Sequence, residues 1–164
     1  MGSIASTGPR EGMTRAQVGG VTGLLSVVPP EHRTLREGDC VGCDQIVATT
    51  ARELNCGWWI IGHPGFSRYD PGSTKHRAWF PADVTVKPKE HLARNRDMVK
   101  LGLALLATPA GPYVKGAHSG TWYTINYALR IGRPVAVIWP DGQLELMPLS
   151  FATVTEFDRL GWAA

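Results

Sequence analysis

No apolar run in the sequence approaches the roughly 20 residues that a membrane-crossing helix requires, so no membrane partner is expected. The opening stretch MGSIASTGPREGM lacks the basic segment and long apolar run of a secretory signal, and the expectation is a cytoplasmic protein. Charge is sparse as well. Only 19% of residues are Asp, Glu, Lys or Arg, and 17 basic against 14 acidic residues give a formal charge of +3 with no long basic run. So modest an excess does not call for nucleic acid as a partner. Three cysteines leave one unpaired in any scheme, and reduced thiols are the default. Cys40 and Cys43 have the C-x-x-C spacing of a zinc site, but a second pair is missing. Cys56 stands alone and His63, His76, His91 and His118 are scattered singly, so no metal is expected. His63 and His118 have no acidic neighbour in sequence that would complete a His-based nucleophile system. Repeats and low-complexity tracts are missing too.

What is present is an alternation of β-rich and helical runs. At 164 residues and 43% hydrophobic content the chain fits one globular domain over 1–164, with a core from about 3 to 140 and an extension over 141–164. A β-prone run at Ser3 to Thr7 ends in Gly8-Pro9. Helical spacing of Val18, Val21, Leu24, Leu25 and Val28 follows, with Thr14 as the N-cap and Pro29-Pro30 as the stop. RTLREG reads as a second strand, residues 44–54 as a helix, and CGWWIIGHP as a third strand apolar enough to be covered on both faces. Residues 65–91 are rich in Pro, Gly and charge and read as a long surface segment. A helix over 92–100, the strand LGLALLATPAG, a loop over 112–120, a helix over 121–130 and the strand RPVAVIWP come next. DGQLELMP is expected to add a strand before a short terminal segment. The expected fold is an α/β, three-layer Rossmann-like domain whose mainly parallel sheet has five or more strands flanked by helices.

In such a sheet ligands bind at the carboxyl ends of the strands. The loops there hold Gly8 and Pro9, then GDCVGCD, where Gly38 and Gly42 let the backbone turn tightly, then Pro109 and Gly111, then Ser119-Gly120-Thr121. N–H groups at the start of the helix after Gly120, with the Ser119 and Thr121 hydroxyls, form a pocket suited to phosphate. Arg94 and Arg96 would add charge-assisted bonds. Trp122, in the first turn, has the choice of stacking on a base or packing on the adjacent loop. KHRAWFPADVTVKPKEH, with Lys75, Arg77, Lys87, Lys89, Trp79 and Phe80, reads equally as a flap over a nucleotide or as an oligomer contact.

The order GDCVGCDQIVATTAREL, RNRDMV, an apolar strand ending in ATPAG, and SGTWYTINYALRIGRPVAVIW resembles the SLOG superfamily of Rossmann-like nucleotide-binding proteins. That superfamily includes the Lonely Guy phosphoribohydrolases, DNA-processing protein A and the YspA/YpsA-type proteins. The resemblance covers Ser3 to Pro140. It implies a nucleotide or nucleotide-derived ligand, held by Arg94, Arg96, Ser119, Gly120 and Thr121 on the phosphate or ribose side. Asp39, Gly42 and Asp44 would face the ribose, and Gly8, Pro109 and Gly111 would permit close approach. It also implies a homo-oligomer, no resident cofactor, and a sensor or sequestering role of the kind found near phage and defence genes. The Lonely Guy enzymes cleave an N-glycosidic bond with a glutamate on the helix after their Pro-Gly-Gly-x-Gly-Thr motif. In this chain SGTWYTIN has no carboxylate in that turn. An active N-glycosidase of this kind would therefore have to draw its charge from Asp39 or Asp44.

Overall fold

The computed structural model describes residues 2–147, 155 and 157–162. Strand β1 (Ile4–Thr7) is buried along its whole length. Helix α1 (Arg15–Ser26) starts at a capping box, in which the Thr14 hydroxyl accepts from the Gln17 N–H and the Gln17 side chain accepts from the Thr14 N–H. A 3-10 turn (Pro30–His32) leads into β2 (Thr34–Glu37), then α2 (Cys43–Glu53) and β3 (Trp59–Gly62). Three two-residue strands follow, β4 (Gly65–Phe66), β5 (Val84–Thr85) and β6 (Lys89–Glu90). Then come α3 (His91–Leu101), β7 (Ala104–Ala107), α4 (Gly120–Arg130), β8 (Val135–Ile138) and β9 (Leu144–Met147).

Seven strands form the main sheet in the order β5-β3-β2-β1-β7-β8-β9. All neighbours are parallel except β8 and β9. Side chains alternate between the two faces of a strand, and each face finds its own cover. Ile4, Leu106 and Ile138 pack with Val21, Leu25 and Val47 of α1 and α2. Ala5, Leu105 and Val137 pack with Met98, Ile125 and Ala128 of α3 and α4. Phe157, Leu160 and Trp162 join the first cluster, and the Trp162 indole donates to the Leu24 carbonyl at 3.0 Å. The chain winds outward from β1 through β2 to β3, then returns to the other side of β1 as β7. That reversal splits the helices apart and opens a crevice at the carboxyl ends of β1 and β7.

The fold class agrees with the expectation from sequence. The stretch over 65–91 differs in being pinned at several points. β4 pairs with β6, which ties its two ends together, and β5 extends the main sheet beside β3. Two-residue strands carry no periodicity, so a sequence pattern cannot announce them. The expected strand over 141–148 is β9, while the rest of the terminal segment lies largely outside the described residues.

Candidate functional site

A cavity of about 500 Å³ opens where the topology predicts one. Its walls come from the loop after β1 (Ser6 to Glu11), the loop and first turn of α2 (Cys40, Asp44), α3 (His91, Arg94, Asn95) and the start of α4 (Ser119, Gly120, Thr121). Gly8 has no room for a side chain, because a Cβ there would meet the Cys43 Sγ and Thr108 Oγ1 at 2.5 Å. The bare backbone lets the β1 loop sit against α2 and leaves the space above it open.

Arg94 is the most buried cation of the wall, 6% exposed. Its Nη1 donates to the His63 carbonyl at 2.8 Å, its Nη2 contacts Cys40 Sγ at 3.5 Å, and Asp44 lies 3.9 Å from Nη1. Among the described residues its Nε has no acceptor, and Ser6 Oγ, also in the wall and buried, has no hydrogen-bond partner either. Buried donors of this kind cost free energy until something accepts from them. At the start of α4 the Ser119 hydroxyl accepts from the Trp122 N–H at 3.2 Å and the Ser119 carbonyl from the Tyr123 N–H at 2.9 Å. The N–H groups of Gly120 and Thr121 are left without an acceptor among the described residues, at the positive end of the helix dipole. The Asn95 amide donates to Thr124 Oγ1 at 2.8 Å, which ties α3 to α4 beneath this end.

Asp44 sits in the first turn of α2 with its carboxyl pushed up to about 6, chiefly by burial and against the pull of Arg94 and of N–H groups at Cys40 and Gly38. Behind it, Glu37 is fully buried and pushed up to about 8, by burial first and then by the charge of Asp44. Burial also raises the Cys43 thiol to about 12, so it is no thiolate nucleophile near neutral pH.

Of the residues singled out in the sequence, Gly8, Asp44, Arg94, Ser119, Gly120 and Thr121 meet in this wall. Others serve it from outside. Gly38 gives way to Arg94 and Asp44, whose side-chain atoms a Cβ would strike, and Gly42 takes a φ of +86° against the Arg10 carbonyl. Asp39 is buried away from the cavity. Its carboxylate accepts from Arg77 Nε at 2.7 Å, Arg77 Nη2 at 2.5 Å and the Phe80 N–H at 3.2 Å, so it fastens the 77–80 stretch instead. Arg96 points into a neighbouring depression with Arg68 and Tyr69, because residues two apart on a helix lie on opposite sides of it. Trp122 donates to the Gly111 carbonyl at 3.0 Å and meets the Tyr113 ring edge-on, packed on the loop before α4. The Pro109 carbonyl is taken by the Gln17 amide. Sequence reasoning did not assign Ser6, His91 or Asn95 to the site, and it met Arg10 only as part of the loop after the first strand. Only the rule that strand ends and helix starts converge could have flagged them.

No protein-family model matches the chain, and no curated protein matches it by sequence. Solved structures do match. A molybdenum cofactor binding protein from Rippkaea orientalis has a TM-score of 0.59 at 19% identity, covering 84% of this chain and 76% of that one. The molybdenum cofactor carrier protein of Chlamydomonas reinhardtii has a TM-score of 0.56 at 18% identity, covering 83% and 75%. DNA processing protein A from Streptococcus pneumoniae has a TM-score of 0.57 at 16% identity, and this chain spans half of its length while 84% of this chain is covered. At such identities the likeness concerns architecture: the chain shares the Rossmann-like α/β fold of these proteins.

Proposed function

We propose that the chain is a single domain that binds a nucleotide or nucleotide-derived small molecule in the cavity between β1 and β7. The observation that carries this reading is Arg94, a buried guanidinium in the cavity wall with a donor left unused. Across from it lies the open end of α4. A phosphate placed between them would accept from Gly120 and Thr121 N–H groups and from Ser119, and would neutralise the guanidinium. Asp44 and Ser6 then suit the hydroxyls of a ribose, one as acceptor and the other as either partner. Two fold neighbours are described as binding or carrying molybdenum cofactor, which supports a small-molecule ligand for this fold. Holding the ligand without converting it fits a sensor or sequestering protein.

A second reading, hydrolysis of an N-glycosidic bond, is favoured by Asp44. It is a cavity carboxyl pushed up to about 6 and so has both protonation states accessible near neutrality. In that reaction water adds to the ribosyl carbon as the base departs with the bonding pair and a proton.

The test is a panel of nucleoside mono-, di- and triphosphates, NAD, cyclic nucleotides and a short single-stranded oligonucleotide, read by thermal shift and by chromatography of the products. A stabilising ligand recovered intact, with the shift lost in Arg94→Ala, supports binding alone. Free base released by the wild type and not by Asp44→Asn supports the hydrolase. Retention of the oligonucleotide alone, with steep salt dependence, would replace both readings.

A further inference from the structure

The helices α3 and α4 cover β1, β7 and β8 on their face of the sheet, and none of the packed cluster beneath them comes from β2 or β3. Leu35 faces the other layer, so its neighbour Arg36 emerges on this uncovered side. There a second cavity of about 440 Å³ lies on the far side of Arg94 from the first. Its floor is built from the half-buried Arg36 and the buried Ser3, His63 and Arg94. Arg36 Nε donates to Ser3 Oγ at 2.9 Å, and its Nη1 lies 3.2 Å from His63 Nε2. His63 is 4% exposed, and burial, followed by the charges of Arg36 and Arg94, lowers its imidazole to about 4. The neutral ring therefore accepts from Arg36, leaving the guanidinium's outer nitrogen to the cavity.

Lys87, Lys89 and Lys100 stand around the opening. With Arg36 and Arg94 they make five cations, against one carboxylate of the wall, Asp97, which already pairs with Lys89. Cations gathered at this density repel one another until an anion joins them, and a partly dry floor strengthens both effects. The remaining wall is apolar, supplied by Val86 and by Leu101, 57% exposed at the end of α3. A purely inorganic ion leaves that surface uncovered.

We propose that this cavity is a second ligand site, for a small organic anion that carries at least two negative charges on one apolar or aromatic body. Arg36 and Lys100 grip the charged end, and Val86 and Leu101 cover the body. The site stands apart from the first cavity in all but the shared Arg94, and its grip on the ligand comes from Arg36 and Lys100, which do not line that cavity.

Phenyl phosphate and inorganic pyrophosphate are the probes, titrated into the full chain at 150 mM salt and followed by amide and arginine side-chain NMR shifts. The expected result is a saturating set of shifts at Arg36, His63, residues 86–89 and Leu101, at least tenfold tighter for phenyl phosphate than for pyrophosphate. In Lys87→Glu/Lys100→Glu, which changes exposed positions only, these shifts weaken at least tenfold while any at Ser119 to Thr121 persist. Arg36→Ala should do the same if its spectrum stays folded. Shifts confined to Ser119 to Thr121, shifts spread over all surface lysines, or saturation with pyrophosphate and phenyl phosphate alike would each overturn the proposal. So would binding of an acidic peptide with no response to either small anion.

Discussion

At the scale of single residues, Arg94 does what Arg96 cannot. Both stand in the RNRD segment, and sequence alone makes them look like one clamp. The helix turns them apart, so only Arg94 reaches the cavity. Arg94→Lys keeps a charge but loses the planar fork that spans the His63 carbonyl and Cys40. It should weaken ligand binding by about tenfold, whereas Arg96→Ala should leave the affinity of a mononucleotide within about twofold, both read by calorimetry. Glu37 offers a test of the electrostatics beneath the site. Its carboxyl is held at about 8 in the fold against an ordinary 4.5, so the folded chain keeps a proton that the unfolded chain has released. Stability therefore falls as pH rises through that interval. His63 and His91, both lowered to about 4, act in the opposite sense below their ordinary 6.5, and Asp44 at about 6 has mostly titrated by then. The window from about pH 7.5 to 8, where the histidines of the unfolded chain have lost their protons too, belongs to Glu37. Urea unfolding should lose up to about 1.4 kcal/mol per pH unit there, and Glu37→Gln should flatten the slope. An unchanged slope in the variant would contradict the buried, protonated carboxyl.

At the scale of elements, sequence marks were legible where a local rule was strong. The Thr14 N-cap, the apolar runs of β7 and β8 and the Ser119 start of α4 were all readable. Asp39 was not, because its partner Arg77 lies in a stretch whose path depends on tertiary contacts. That ion pair, the Arg77 guanidinium stacked 3.6 Å from the Trp79 ring centroid, and the Ala78 N–H bond to the Asp39 carbonyl hold the middle of the 67–83 excursion. Arg77→Ala should release it. Limited proteolysis within this stretch is expected to quicken by about tenfold, and the urea midpoint to fall as well, since Asp39 is left buried without its cation and Phe80 and Ala82 of the released stretch pack against the first core cluster. Equal cutting rates would mean that the remaining contacts, β4, β5, β6 and the Val41 N–H bond to the His76 carbonyl among them, secure the segment. Ser119→Ala should cost about 1 kcal/mol of stability through the lost cap and also reduce ligand affinity, a pairing that a merely structural cap would not produce.

At the scale of the whole molecule, the parallel sheet was legible because the β-prone run of β1 and the apolar runs of β7 and β8 are separated by helical periodicity. The winding order was what located the site. Reversal at β1 brings the β1 loop, the α2 start and the α4 start to one edge, although residues 8, 44 and 120 are far apart in sequence. Which side chains of these loops face the crevice could not be read from spacing. Trp122 and Asp39 belong to the right loops and turn to packing and fastening. Phosphate recognition by the cavity would rest on Arg94 and the α4 start. The most direct measurement compares the affinities of the four common nucleoside 5′-monophosphates with those of their parent nucleosides, by calorimetry on wild type and Arg94→Gln. At least one monophosphate should bind the wild type about 100-fold more tightly than its nucleoside, with that advantage falling to about tenfold or less in the variant. Equal affinity for nucleoside and monophosphate, or an advantage untouched by Arg94→Gln, would contradict the account.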